Sequence, residues 1–310
     1  MGSCFSTSQK TKSVPSKHIT IGQKDPFSKK MTANQDNASM VIDNTTAINT
    51  KREFHNDESS TYWLPKDDDE QMRLTEQHYA FKSLYGGNVL PRCGSGVWIM
   101  DMVQDYPSCT YHGCDIVDAI HKNVNVNQFT FILGNVVKGL PYEDDTFDFV
   151  HMRFFILALR EEEEWPAAIS EIIRVTKPGG MIQMSEIGFE LPKDSSNLFY
   201  KVGVTIRDTC AARGQNAYIG AELNNMLAKH NNIEIVQSAD RICDMSSGTS
   251  AAKTLTWDAL ESVKSMKPVM GPLMRINTTE ELDQFLKELK HCIETKESLF
   301  RFNSVAAQKL

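Results

Sequence analysis

Three short segments carry residues suited to holding a nucleotide-like molecule. Cys93-Gly94-Ser95-Gly96 precedes Val97-Trp98-Ile99-Met100, an apolar run that reads as the start of a helix. Small residues at that place let backbone N–H groups approach a ligand. Asp115 ends a second apolar run, 22 residues beyond Cys93. That is about the separation at which one carboxylate takes both hydroxyls of an adenosine ribose. Gly134-Asn135-Val136 follows a third run, where an amide side chain can pair with an adenine edge. Singly, each has a plainer reading as a turn or a solvated cap. A nicotinamide-binding loop would want a glycine at position 99, which is Ile.

Strands are expected over 110–114, 129–133, 147–152, 181–186, 233–239 and 300–306. Helical patterns lie between them, over 97–105, 165–176, 197–213 and 221–230. Such alternation predicts an α/β fold, a mostly parallel sheet covered on both faces, with ligands at the carboxyl ends of its strands. Before it, the acids of Asp67-Asp68-Asp69-Glu70 suit a helix start and Gly86-Gly87 a stop. Near the end, Thr278 and Glu281 have the spacing of a capping box, ahead of the stripe Leu282, Phe285, Leu286, Leu289 and Ile293.

The chain has 310 residues and a formal charge of −7, with 33 basic against 40 acidic side chains. That balance argues against a duplex-binding protein, so nucleic acid is not an expected partner. Seven scattered cysteines without a C-x-x-C pair argue against a disulfide scaffold or a structural metal site. Residues 1–61 are rich in Ser, Thr, Asn and Lys, lack Trp and Tyr, and read as a disordered leader before a domain at 62–310. The leader opens Met-Gly-Ser-Cys-Phe-Ser, which fits an N-myristoylation pattern at Gly2, with Cys4 available for a second acyl chain and Lys10, Lys12 and Lys17 for anionic lipid. The expectation is a body tethered at the cytosolic face of a membrane; a soluble cytoplasmic protein is the alternative.

From Tyr62 onward the sequence resembles the class I S-adenosylmethionine-dependent methyltransferases, in particular the fungal secondary-metabolism type. The resemblance rests on Tyr62-Trp63-Leu64-Pro65, on Cys93 to Trp98, on the block from Gly139 to Arg153, and on Glu171-Ile172-Ile173-Arg174-Val175-Thr176-Lys177-Pro178-Gly179-Gly180. It implies a Rossmann-like seven-stranded sheet with an antiparallel last strand, and S-adenosylmethionine as cofactor. By that likeness Gly94, Ser95 and Gly96 face the methionine part, Asp115 and Ile116 the ribose, and Asn135 and Val136 the adenine. His151, Met152 and Arg153 border the methyl-transfer site, with His151 as the candidate general base. Glu186 is a candidate substrate contact, and no metal is required. The acceptor would be a small molecule or a protein. Met226, Met245, Met266, Met270 and Met274 either line its pocket or fill the core.

One departure stands out. The family has a buried strand and acid-x-Gly-x-Gly-x-Gly before the helix, where this chain has Leu90-Pro91-Arg92-Cys93-Gly94-Ser95-Gly96. Leu90 replaces the acid and Arg92 the first glycine. Pro91 cannot donate to a ladder, so no normal central strand can be written here and the first strand is expected to be incomplete. A non-catalytic, membrane-tethered interaction module is therefore the rival reading.

Overall fold

A computed structural model describes residues 3–7, 52–54, 62–88, 96–116 and 127–310; for 3–7, 96 and 97 it describes the main chain. The body is α/β, a seven-stranded sheet in the order β3-β2-β1-β4-β5-β7-β6. Its strands are β1 (Ser3–Thr7), β2 (Thr110–Asp115), β3 (Phe129–Leu133), β4 (Phe147–Arg153), β5 (Thr176–Gly188), β6 (Ile233–Asp244) and β7 (Leu299–Lys309). Pairs β2–β3 and β4–β5 are parallel, whereas β7 runs antiparallel to both β5 and β6. The six strands expected from apolar runs are all present; β4 and β5 carry continuous buried runs, as strands covered on both faces do, whereas the edge strand β6 is mostly exposed.

The central position departs from expectation. The slot between β2 and β4 is filled by Ser3–Thr7, from the segment read as leader, and this strand is antiparallel to both neighbours. Ser3 lies opposite Cys114, Thr7 opposite Thr110, and Cys4 opposite both Gly113 and His151. The cause is a backbone requirement. Two facing strand edges in a protein interior carry N–H and C=O groups that must be paired, at roughly 1–3 kcal/mol for each left unmade. Backbone pairing tolerates many sequences, and Ser-Cys-Phe-Ser-Thr contains residues that suit strands. Leu90, Arg92 and the expected Val89–Leu90 stub lie outside the described residues.

A second part of the segment 1–61 is also bound to the body. Arg52 forms a two-pronged ion pair with Asp67, at 2.5 and 2.7 Å, and the Lys66 N–H donates to the Glu53 carbonyl at 2.7 Å. Asp67 in turn caps α1 (Asp68–Tyr85) by accepting the Glu70 N–H, and Gly86, in the left-handed conformation, ends it.

Helix α2 (Gly96–Asp105) precedes β2, and α3 (Glu164–Val175) crosses from β4 to β5. Helices α4 (Leu198–Ala212) and α5 (Ile219–Ala228) follow β5; α6 (Ser250–Ser265), α7 (Lys267–Met274) and α8 (Thr279–Thr295) separate β6 from β7. The capping box of α8 forms as the spacing requires. A large core includes Phe81, Phe147, Trp165, Ile182 and Phe302, and a smaller cluster of Trp98, Ile99, Met102 and Tyr111 lies under α2. Met245, Met266 and Met270 belong to the large core, the packing use expected of flexible side chains in irregular gaps.

Candidate functional site

The carboxyl ends of β2, β4 and β5 meet at one edge of the sheet, with the Ser3 end of β1 between the first two. Asp115, 8% exposed, closes β2. Its carbonyl accepts the Gly134 N–H at 2.9 Å, which ties the end of β2 to the turn after β3. The approach is close enough that a Cβ at Gly134 would stand 2.8 Å from the Cys114 Sγ. Within that turn the Asn135 Oδ1 accepts the Val137 N–H at 2.9 Å. One lone pair of the oxygen is thereby engaged in the turn, which fixes the side-chain amide. Val136 is buried and Ile116, just past the end of β2, is half-buried.

A second wall comes from the approach to α1. The Tyr62 hydroxyl is buried, and burial together with the charges of Glu70 and Asp115 holds the phenol well above its ordinary pKa, with Arg73 opposing. Tyr62 therefore shares the electrostatic neighbourhood of the candidate ribose acid. Beneath it, Arg73 donates to Glu70 at 2.9 and 2.6 Å and to Asp258 at 2.6 Å, while Gln77 reaches the same Asp258 at 3.1 Å. This buried network fastens α1 to α6. Trp63 lies under the Arg213 guanidinium, 5.4 Å from ring centre to Cζ.

The end of β4 carries three of the residues expected at the methyl-transfer site. His151 is 1% exposed and its ring stacks on Trp98, with centroids 4.8 Å apart and planes 13° from parallel. Stacking under α2 gives the imidazole a packing place in the interior, not the place of a base that reaches an acceptor. Met152 is likewise buried in the main core. Arg153 lies over the rings of Phe81 and Phe154, at 4.9 and 4.6 Å, an arrangement in which the aromatic faces attract the cation.

Past Arg153 the chain turns through Phe154, whose φ of 61° is uncommon for a side chain of this size. Two contacts hold it there: the Phe154 N–H donates to the Ser185 carbonyl at 3.0 Å, and the Phe155 N–H to the Glu186 carboxylate. Burial pushes the Glu186 carboxyl up to about 8, against backbone donors at Phe155, Ile156 and Ile187 and the charge of Arg153. Glu186, expected as a substrate contact, is instead bound to the loop that follows β4. The far side of that loop is held by Gln215, which donates to the Leu157 carbonyl at 2.7 Å.

The described residues fit the adenosine half of S-adenosylmethionine. Asp115 offers two acceptor oxygens to a pair of hydroxyls, Asn135 offers donors to a base edge, and Val136 and Ile116 offer apolar contact. Gly96 opens α2, while Gly94 and Ser95 lie outside the described residues, as does Gly2; Cys4 is in β1. Sequence reasoning gave no structural place to Phe154 or Gln215 beside this loop, and none to Tyr62 beyond its part in the resemblance. Nothing in a single sequence marks a left-handed Phe. For Tyr62 the sole signal was an aromatic pair just ahead of an acid-rich helix.

The sequence is similar to known proteins. Residues 92–180 match the model of a methyltransferase domain. The chain is 25% identical over 159 residues to the secondary metabolism regulator laeA of Coprinopsis cinerea, a match covering 45% of this chain and 39% of that one. It is 26% identical over 176 residues to the secondary metabolism regulator LAE1 of Cochliobolus heterostrophus, covering 49% and 56%. The protein-methionine methyltransferase laeA of Emericella nidulans is 25% identical over 160 residues, covering 47% and 42%. The chain thus spans about half the length of these relatives or less.

Proposed function

We propose, from the match of residues 92–180 to the model of a methyltransferase domain, that this protein transfers the sulfonium methyl group of S-adenosylmethionine to a soft nucleophile on a protein or small-molecule acceptor. Asp115 carries the reading of the cofactor site, since a buried carboxylate at the end of β2, tied to the turn that holds Asn135, suits an adenosine. The cofactor supplies an electrophilic methyl, so the protein's part is binding, alignment and exclusion of water. Asp115 and Asn135 orient the adenosine, and the Arg153–Phe154 corner with Tyr62 walls the site.

The groups at the edge of β4 and β5 support one acceptor class. His151 is stacked in the interior, and Glu186 is bound to the Phe155 N–H. Neither is placed as a base for an acceptor, such as a hydroxyl, that needs its proton taken as it attacks. A thioether sulfur attacks through a lone pair with no proton to lose, and the relative from Emericella nidulans is named a protein-methionine methyltransferase. The acylation pattern at Gly2 and Cys4 supports a location at a membrane surface for part of the protein's life.

The deciding experiment is calorimetric titration of S-adenosylhomocysteine into the full chain, with Asp115→Ala as control. Micromolar binding that the variant loses is the expected result. A folded chain that does not bind overturns the reading in favour of an interaction module.

A further inference from the structure

The sheet consists of two hydrogen-bonded groups of strands joined by β1. On one side are β3 and β2, on the other β4, β5, β7 and β6; the order places β1 between β2 and β4. Ser3–Thr7 pair with Cys114–Thr110 of β2, and Cys4, Phe5 and Ser6 with His151, Val150 and Phe149 of β4. The two sides also carry different halves of the candidate site. Asp115 and the Asn135 turn go with β2 and β3, whereas the Arg153–Phe154 corner and Glu186 go with β4 and β5. Residues flanking the slot are interior ones: Tyr111 and Cys114 on β2, Val150, His151 and Met152 on β4, each 4% exposed or less. Their main-chain groups cannot turn to water if the slot empties.

We propose that the gap between β2 and β4 is a strand-binding site that residues 3–7 enter and leave, that cofactor affinity belongs to the strand-inserted form, and that acylation of Gly2 and Cys4 draws the same residues out to a lipid surface. The inference rests on the methyltransferase reading and on the acylation pattern. A strand donated from a distant part of the sequence is held by main-chain hydrogen bonds and little else of its own chain, unlike one continuous with the glycine loop. Cys4 is paired on both sides, so its backbone is in the middle of the sheet when the strand is inserted. In the lipid-bound form water has hydrolysed the Met1–Gly2 peptide bond, releasing methionine, and an acyl group has passed from an acyl-coenzyme A thioester to the freed Gly2 amine as an amide, or to the Cys4 sulfur as a thioester. Free coenzyme A leaves with the displaced proton. A residue carrying such a chain into a bilayer cannot also occupy the centre of the sheet. One segment thus has two exclusive addresses, and the membrane-bound form has its cofactor site taken apart.

The test uses the full, unacylated chain and Phe5→Pro, which removes an N–H donor and fixes φ away from strand values at the centre of β1. S-adenosylhomocysteine affinity should fall at least tenfold in Phe5→Pro and recover when a peptide of residues 2–9 is added. The same peptide myristoylated at Gly2, in the presence of phosphatidylcholine–phosphatidylserine vesicles, should not restore it. Wild-type affinity in folded Phe5→Pro overturns the strand site, and equal rescue by the acylated peptide overturns the competition. Amide hydrogen exchange of Cys4–Thr7 in the wild-type chain gives an answer that does not depend on the variant's folding. Protection comparable to β2 is expected, and exchange at unstructured-chain rates overturns the proposal. If the wild-type chain protects these amides yet binds no S-adenosylhomocysteine, the methyltransferase reading has failed and the strand site has not.

Discussion

Glu186 and Phe155 meet where β5 ends and the loop after β4 begins: one carboxyl oxygen accepts the Phe155 N–H, and the other, equally buried, has no hydrogen-bond partner. A carboxyl so placed favours its neutral form, and burial raises it to about 8 from 4.5. The folded protein then keeps this proton between pH 4.5 and 8, where the unfolded chain has released it. Its contribution to stability is therefore complete below pH 4.5 and is lost as pH rises through 8. Glu186→Gln stays neutral at every pH and should remove that decline. The difference in stability near pH 9 should reach at most about 5 kcal/mol at 1.36 kcal/mol per unit. Urea unfolding of both proteins from pH 5 to 9 measures it, and parallel curves would show that Glu186 ionises freely.

Arg73 neutralises two buried acids at once, Glu70 in its own helix and Asp258 in α6. Arg73→Ala leaves both carboxylates buried without a cation, at roughly 3–5 kcal/mol. Thermal unfolding should show a large loss; a change within experimental error would mean that water reaches the pair.

Gly220 brings α5 against the end of β5. A Cβ there would stand 2.3 Å from the Ile187 carbonyl oxygen and 3.3 Å from the Glu186 Cβ. Backbone cannot rotate away as a side chain can, so Gly220→Ala should cost about 1–3 kcal/mol. Chemical denaturation checks this, and Gly248→Ala, which meets no atom within 4 Å but has a φ of 69°, separates the cost of backbone conformation from that of contact.

The acylation pattern predicts a location. Gly2→Ala should shift the protein from the membrane pellet toward the soluble fraction of its cells, because it removes one of the signals and a single acyl chain by itself binds a bilayer only marginally. Retention of the variant in the pellet would place the anchor elsewhere.

Legibility in the sequence followed how local each feature was. The strands around β2 to β7 could be read from apolar runs, and the Thr278–Glu281 box from four residues of spacing, because neighbours along the chain decide both. The places of Asp115 and Asn135 at strand ends could be read because each follows an apolar run at a fixed remove. The surroundings of Glu186 could not, since its partner, the Phe155 N–H, is 31 residues away. Nor could the stacking of His151, because Trp98 belongs to another element. Helices α6 and α7 were missed because Ala, Thr and Ser dilute the first and Pro272 lies within the second. The source of β1 could not be read at all. Five residues give too short an alternation, and what selects them is an empty place in a sheet made by residues 110–153.

The distance along the chain between β1 and its partners also sets an order of events during synthesis. Cys4 pairs with Gly113 and His151, so the strand cannot dock until the ribosome has released residues beyond Arg153, at about 5–20 residues per second. Closing loops of that length is a slow, late step in folding. From the emergence of Cys4 to that of Arg153, about 150 residues, synthesis at that pace takes roughly 8–30 seconds. Under the proposed competition, that interval is when an acyltransferase would meet Gly2 and Cys4 before the sheet does, and timing would decide between lipid and sheet ahead of affinity.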